Sequence, residues 1–329
     1  MSIAMAYMTV IIVWTTTPLG VTWSSETVDP TLSALVRMLL AAMIGWCILR
    51  AMGRSLCWSG AAIKKYLYAN IGITAALYAT YHAAGLIPSG LISVIYGLSP
   101  MLSGVFARWL LKDQSMPLFR WIASLIALIG LWVIFGVDIS NDQQAMMGIG
   151  LLLFAVTLFS LSGVLLKKSA HKNSHLEQTV GSLIVSVPLF VVAFLIENLQ
   201  VLLVMDSAEV VTLIVEKAQQ IEFRSVGAIV YLAVMGSLVG FVCYFYILSA
   251  LSPSTVALVT LVTPVLALIL GVWLNNEVIS PETWIGTGFI IGALALFNWG
   301  DRIRSFHWNA LMNKTKSLRV EGVMKKKPV

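Results

Sequence analysis

Charge is what this sequence has least of. Of 329 residues only 11% are Asp, Glu, Lys or Arg, against 59% hydrophobic residues and a mean hydropathy of +0.90. A soluble domain carries roughly 25% charged residues. So few charges cannot cover a water-facing surface, and lipid must face much of the chain. Cysteine is scarce as well. Cys47, Cys57 and Cys243 are scattered and odd in number, so they suggest neither a disulfide framework nor a zinc site and read as small apolar packers. There is no G-x-x-x-x-G-K-[ST], which argues against an ATP-driven pump. H-E-x-x-H, a metal-spaced His/Cys cluster and a G-x-S-x-G elbow are also missing. No acid–base pair at one membrane depth can be assembled. The expectation is a protein that is not an enzyme and uses no metal or cofactor.

What is present is a series of apolar segments, each near the ~20 residues a helix needs to cross a bilayer. They cover residues 4–23, 32–50, 66–85, 89–111, 118–136, 147–167, 178–197, 226–249, 253–274 and 282–300. No cationic stretch precedes the first and no small-residue cleavage site follows it, so it reads as a membrane helix, not a signal peptide. One long insert, 198–225, mixes apolar and charged residues and suits a surface helix lying in the interface. With a cytoplasmic N-terminus, 18 of the 21 Lys and Arg residues fall on the inner side. That accounts for the net charge of +6 without nucleic acid. The basic tail, 301–329, suits anionic lipid.

The block 251–300 echoes the block 86–136. An offset of 164 pairs Ser99–Pro100 with Thr263–Pro264, Trp109 with Trp273, Asp113 with Glu277, Pro117 with Pro281 and Gly136 with Gly300. Five segments per repeat place the second copy upside down in the membrane, an arrangement in which substrate sites lie between the halves. The expected fold is an all-α integral membrane protein. Its ten transmembrane helices form two inverted five-helix repeats, 1–137 and 147–300, around a central cavity.

Candidate residues follow from polarity inside apolar segments. Pro18, Pro100 and Pro264 each free a backbone carbonyl and suit kinks or gates, or plain packing. Asn70, Thr74, Tyr78 and His82 step by four along one helix face, with Tyr81 alongside. Such a stripe lines a cavity or bonds a neighbouring helix. His82 suits proton coupling, or a structural hydrogen bond. Tyr96, Phe241, Tyr244 and Thr260 are further cavity candidates, as is Trp14. Gly236 and Gly240 have the spacing of close helix packing. Arg37, the one cation well inside a span, either pairs with a substrate anion or snorkels to the headgroups. Asp113 and Glu277 read as helix-end residues.

The repeated block resembles the drug/metabolite transporter superfamily, in particular its ten-helix EamA-like members. The second copy carries Ser252–Pro253–Ser254, Thr263–Pro264, Asn276–Glu277 and Pro281. The first keeps Ser99–Pro100 but has Lys112–Asp113–Gln114 at the turn, a departure from the family's Gly-Glu. Leu35–Val36–Arg37, Trp14 and Pro18 also resemble the family pattern. The resemblance implies a basket-like bundle in the cell (inner) membrane, cytoplasmic termini, and alternating access for a small metabolite such as an amino acid, amine or carboxylate, often outward. Partners would be substrate, the lipid bilayer and a coupling ion or proton, with a homodimer left open. The rival readings are a membrane-embedded enzyme or lipid handler, and a non-transporting structural or sensor subunit.

Overall fold

The structure is a computed structural model that describes residues 2–111, 117–137, 143–169, 174–199, 212, 215–251, 253–297 and 300. Among these there is helix and no strand. Helix α1 covers Ile3–Ser24 and α2 covers Pro30–Ala51. Helix α3 runs Gly60–Asn70, passes through a π segment, Ile71–Ala76, and ends with Leu77–Ala84. Helix α4 comprises Ser89–Tyr96 and Ser99–Leu111. Then follow α5 (Leu118–Val137), α6 (Gln143–Lys168) and α7 (His175–Glu197). Helix α8 has three parts, Phe223–Tyr231, a π segment Leu232–Val239, and Gly240–Ala250. Helix α9 covers Pro253–Asn275 and α10 covers Pro281–Phe297. Six of the helices are long and apolar enough to cross a membrane; Leu118–Ile134, Val262–Asn275 and Pro281–Phe297 are shorter apolar stretches.

Local sequence sets the helix starts. The Ser2 hydroxyl accepts from the Met5 amide, Asp29 from the Leu32 amide just ahead of Pro30, and Ser59 from the Ala62 amide. Ser174 and Glu177 form a reciprocal capping box at α7. Each such cap contributes about 1 kcal/mol by satisfying a donor the helix leaves open. Helix α9 ends with Asn276 at φ 52, a left-handed conformation that asparagine tolerates. The chain then folds back, and the Glu277 amide donates to the Gly271 carbonyl at 3.1 Å.

The contacts between helices α1–α5 and α6–α10 follow a regular pattern. Helix α2 packs on α7, and α4 on α9. Helix α1 packs on α8 and α9, while α6 packs on α3 and α4. Exchanging each helix of the α1 pairings for the one five places earlier or later in the chain gives the α6 pairings. Close approach relies on glycine where backbones meet. A Cβ on Gly90 of α4 would lie 2.6 Å from Leu268 Cα of α9, and one on Gly286 of α10 would lie 2.5 Å from the Gly130 carbonyl of α5. Outward-facing large residues such as Trp109, Leu125, Leu128 and Trp132 are exposed, as a lipid-facing surface requires.

The prolines behave differently. Pro100 sits in the first turn of Ser99–Leu111, after a break at Gly97–Leu98, where its missing N–H costs little. Pro264 and Pro18 lie inside unbroken helices. Asp113 and the tail 301–329 lie outside the described residues.

Candidate functional site

A cavity of about 140 Å³ lies in the middle of the bundle. Trp14, Thr17 and Pro18 of α1 form one wall, with Arg37 of α2, Phe159 of α6 and Phe241 of α8 around them. The aromatic rings touch one another. Trp14 lies 4.9 Å from Tyr244 and 6.3 Å from Phe159 between centroids, and Tyr96 meets Phe159 edge-on at 5.6 Å. Thr80 donates to the Ala76 carbonyl at 2.8 Å, so the Tyr96 hydroxyl donates to Thr80 Oγ1, also at 2.8 Å. That bond anchors the tyrosine ring. A smaller cavity shares Gly72, Ile73, Phe159 and Phe241 with the first and extends past Tyr244, Phe245 and Leu166.

The lining comes in pairs at the repeat offset. Gly72 and Gly236, Leu77 and Phe241, Tyr96 and Thr260, and Ser99 and Thr263 all line the cavity, each pair 164 residues apart. The π segments of α3 and α8 contain Gly72 and Gly236, respectively. A π stretch widens the turn and is common at functional sites. At each glycine the missing side chain admits a neighbour. A Cβ on Gly72 would come within 3.0 Å of Ser162 Oγ, and one on Gly236 within 3.1 Å of Arg37 Nη2.

Arg37 does not snorkel. It is 2% exposed, donates from Nε to Ser237 Oγ at 2.9 Å, and reaches the Tyr81 hydroxyl from Nη1 at a long 3.4 Å. No carboxylate pairs with it among the described residues, and no other charged residue among them lines the cavity. Burying a cation in this way costs several kcal/mol unless an anion or a full set of acceptors meets it.

The polar stripe of α3 faces α7 and contributes none of the lining. Asn70 donates to the Tyr66 carbonyl at 2.8 Å and the Ser182 carbonyl at 3.0 Å, and Thr74 donates to Asn70 Oδ1 at 2.6 Å. Tyr78 donates to Glu197 Oε1 at 2.5 Å, Thr31 donates to the same oxygen at 2.9 Å, and His82 Nε2 lies 3.1 Å from both that oxygen and Thr31 Oγ1. Thr31 spends its proton on Glu197, so the Nε2–H of His82 is the donor directed between Glu197 Oε1 and Thr31 Oγ1. Glu197, the hub, is invisible in the sequence as anything but an acid at a span's end. Phe159 likewise gives no signal within an apolar run. Of the remaining candidates, Tyr81 lies against Arg37, and Gly240 packs toward α1, where its Cβ would come within 3.2 Å of Val13.

Beyond the cavity, one end of the bundle is tied together. Trp23 Nε1 donates to Asn275 Oδ1 at 2.7 Å. Asn275 Nδ2 donates to Glu277 Oε1 at 2.9 Å, and the Ser89 amide donates to the same oxygen at 3.1 Å. Glu277 therefore caps α4, a helix of the other half, with its charge at the positive end of that helix. Ser225 donates to the Trp23 carbonyl at 2.8 Å, and Arg224 pairs with Glu26.

Residues 146–299 match the EamA-like transporter family. The chain is 25% identical over 285 residues to Protein PecM of Dickeya dadantii, spanning 86% of this chain and 88% of PecM. It is 34% identical over 73 residues to the uncharacterized inner membrane transporter YedA of Escherichia coli K12, 22% of this chain and 24% of YedA. A solved crystal structure with 17% identity shares the fold, with a TM-score of 0.60 over 90% of this chain and 97% of the other.

Proposed function

We propose, from the premise that residues 146–299 are an EamA-like transporter unit in a multi-pass membrane protein, that the chain is a secondary carrier exporting a small metabolite by alternating access. The observation that carries this reading is the paired lining. A cavity bounded by the same positions of two repeats lies on a pseudo-two-fold axis, which is where inverted-repeat carriers hold substrate. Ten crossings, the two halves inverted and both termini cytoplasmic, agree with the placement of the cations. On that orientation the end tied by Trp23, Asn275, Glu277 and Ser89 is the outer one. The smaller cavity, past Tyr244, Phe245 and Leu166, runs toward the inner one. The arrangement then corresponds to a carrier closed outside, and export requires that outer tie to part. An ion gradient or counter-substrate drives net movement.

The test is a reversible lock. In a cysteine-free background, Trp23→Cys with Asn275→Cys is cross-linked by a short bismaleimide or oxidised to a disulfide in proteoliposomes, and flux is measured across a panel of amino acids, amines, carboxylates and nucleosides. Locking is expected to stop flux of whichever compound the unlocked protein moves, and reducing the disulfide to restore it. Flux that continues through the locked protein, or no flux for any compound on the panel, would overturn the proposal.

A further inference from the structure

We infer that the molecule held in this cavity carries an anionic group, a carboxylate or equivalent oxyanion, on an aromatic or apolar body, and that Arg37 receives the anion. The inference rests on the cavity reading above and adds the class of substrate.

Three observations converge. First, Arg37 is 2% exposed yet lines the cavity. Nε is committed to Ser237, and Nη1 makes only a 3.4 Å contact with Tyr81, so most of the guanidinium fork has no acceptor among the described residues. A guanidinium offers five donors in a planar fork that matches a carboxylate or phosphate edge. Second, Gly236 makes the space that this fork occupies. A Cβ there would come within 3.1 Å of Nη2, and the bond that Arg37 Nε donates to Ser237 Oγ, on the adjacent residue of the same π segment, fixes the orientation. Third, no Asp or Glu lines the cavity among the described residues, whereas Trp14, Tyr96, Phe159 and Phe241 do. An amine would meet a like charge and no counter-charge. A neutral polar compound would leave the arginine unpaired in a site of low dielectric. An anion with a flat or apolar body satisfies the cation and fills the aromatic wall.

The probes are 3-phenylpropionate, its primary amide, 3-phenylpropylamine and 2-phenylethylphosphonate, which share a phenylethyl body and differ in the head group. Binding is read by tryptophan fluorescence and ligand-induced thermal shift of the purified full chain, and flux in proteoliposomes. The expected result is at least about 10-fold tighter binding of an anion than of the amide, the size of effect that one or two charge-assisted hydrogen bonds provide. Comparing propionate with phosphonate separates a carboxylate site from a phosphate-type site. Arg37→Gln is expected to bring the anion-to-amide ratio close to one, and Arg37→Lys to keep part of it. If Arg37→Gln does not elute as a single species, the ratio in the native protein decides. Amide or amine binding as tight as the anions, no binding of any probe, or an unchanged ratio in a folded Arg37→Gln protein overturns the assignment. Anions that bind selectively but never cross leave this assignment standing and overturn the carrier reading. Neutral probes that bind and cross in preference do the reverse.

Discussion

Replacing Gly90 by alanine probes the seam between α4 and α9, the two repeat-related helices that carry Ser99 and Thr263 to the cavity. A Cβ at Gly90 would lie 2.6 Å from Leu268 Cα, 2.9 Å from Leu268 N and 2.8 Å from Leu268 Cδ2. The side-chain carbon can swing away; the backbone atoms cannot. Carbon atoms rest comfortably at about 3.5–4.0 Å, so the helices must part by about 1 Å. Overpacking of this kind costs about 1–3 kcal/mol. At about 2–4 °C per kcal/mol for a chain of 150–250 residues, Gly90→Ala should melt roughly 2–12 °C below the native protein. Gly292→Ala is the control: it lies in a helix with nothing within 4 Å of the added carbon, and alanine there gains about 0.5–1 kcal/mol of helix propensity. Thermal unfolding followed by tryptophan fluorescence in one detergent compares the two. Flux is measured well below either transition, where Gly90→Ala should still be impaired because the displaced helices carry cavity residues. If Gly90→Ala melts with or above Gly292→Ala, the close approach of α4 and α9 is wrong and so is the geometry of the cavity between them.

Glu277→Ala removes the acceptor shared by the Ser89 amide and Asn275. It should cost about 1–3 kcal/mol, read as a lower melting temperature, while Glu277→Gln keeps an acceptor oxygen and loses less; an Ala variant as stable as the native protein would refute the cross-half cap. Glu197→Ala strands three donors, but His82 and Glu197 are 31% and 23% exposed, so water replaces part of the loss. A drop of about 1–2 kcal/mol is expected there, with Tyr78→Phe accounting for a fraction of it; Tyr78→Phe costing as much as Glu197→Ala would contradict a three-donor hub. Cys57 lies between α2 and α3, and its thiol is held below the usual cysteine range by hydrogen bonds with Ser59. A lowered pKa keeps thiolate present at lower pH, so its alkylation should begin at lower pH than for a free thiol, while buried Cys243 stays inert. With cytoplasmic termini, an impermeant maleimide should label Cys57 only after the membrane is opened, and labelling in intact cells would reverse the orientation.

Much of the frame is legible in the sequence because lipid imposes it. A helix must bury its own backbone polar groups, so apolar length predicts α1, α2, α6 and α7 closely, and Ser2, Asp29–Pro30 and Ser174–Glu177 mark where they begin. The side-chain directions are less legible. Asn70, Thr74, Tyr78 and His82 share a face, as their spacing predicts, but spacing cannot tell whether that face meets the cavity or α7. Ser182 and Glu197, more than a hundred residues away, decide it. Arg37 turns inward because Ser237 meets it, 200 residues on. The π segments follow from tertiary packing that holds Gly72 against Ser162 and Gly236 against Arg37, and no periodicity in the sequence announces them.

On the carrier reading, the repeat accounts for a cavity between the halves, and its departures from symmetry account for what that cavity selects. A perfect repeat would present the same chemistry from both halves. Gly72 and Gly236 keep that identity because both admit a neighbour, and Ser99 and Thr263 keep a hydroxyl. Where the cavity walls differ, the difference is chemical: Tyr96 stands opposite Thr260, and Leu77 opposite Phe241. Arg37 adds the only charge among the described lining residues, from one half alone. Exchanging the residues of an unequal pair, Leu77→Phe with Phe241→Leu, preserves total volume and should leave folding within about 1.5 kcal/mol. It moves the aromatic surface across the axis relative to Arg37, so an anion held at the arginine loses its ring contact. Selectivity between a phenyl-bearing anion and acetate should therefore fall while acetate binding persists. Unchanged selectivity would mean that the aromatic wall and the arginine do not hold the same molecule.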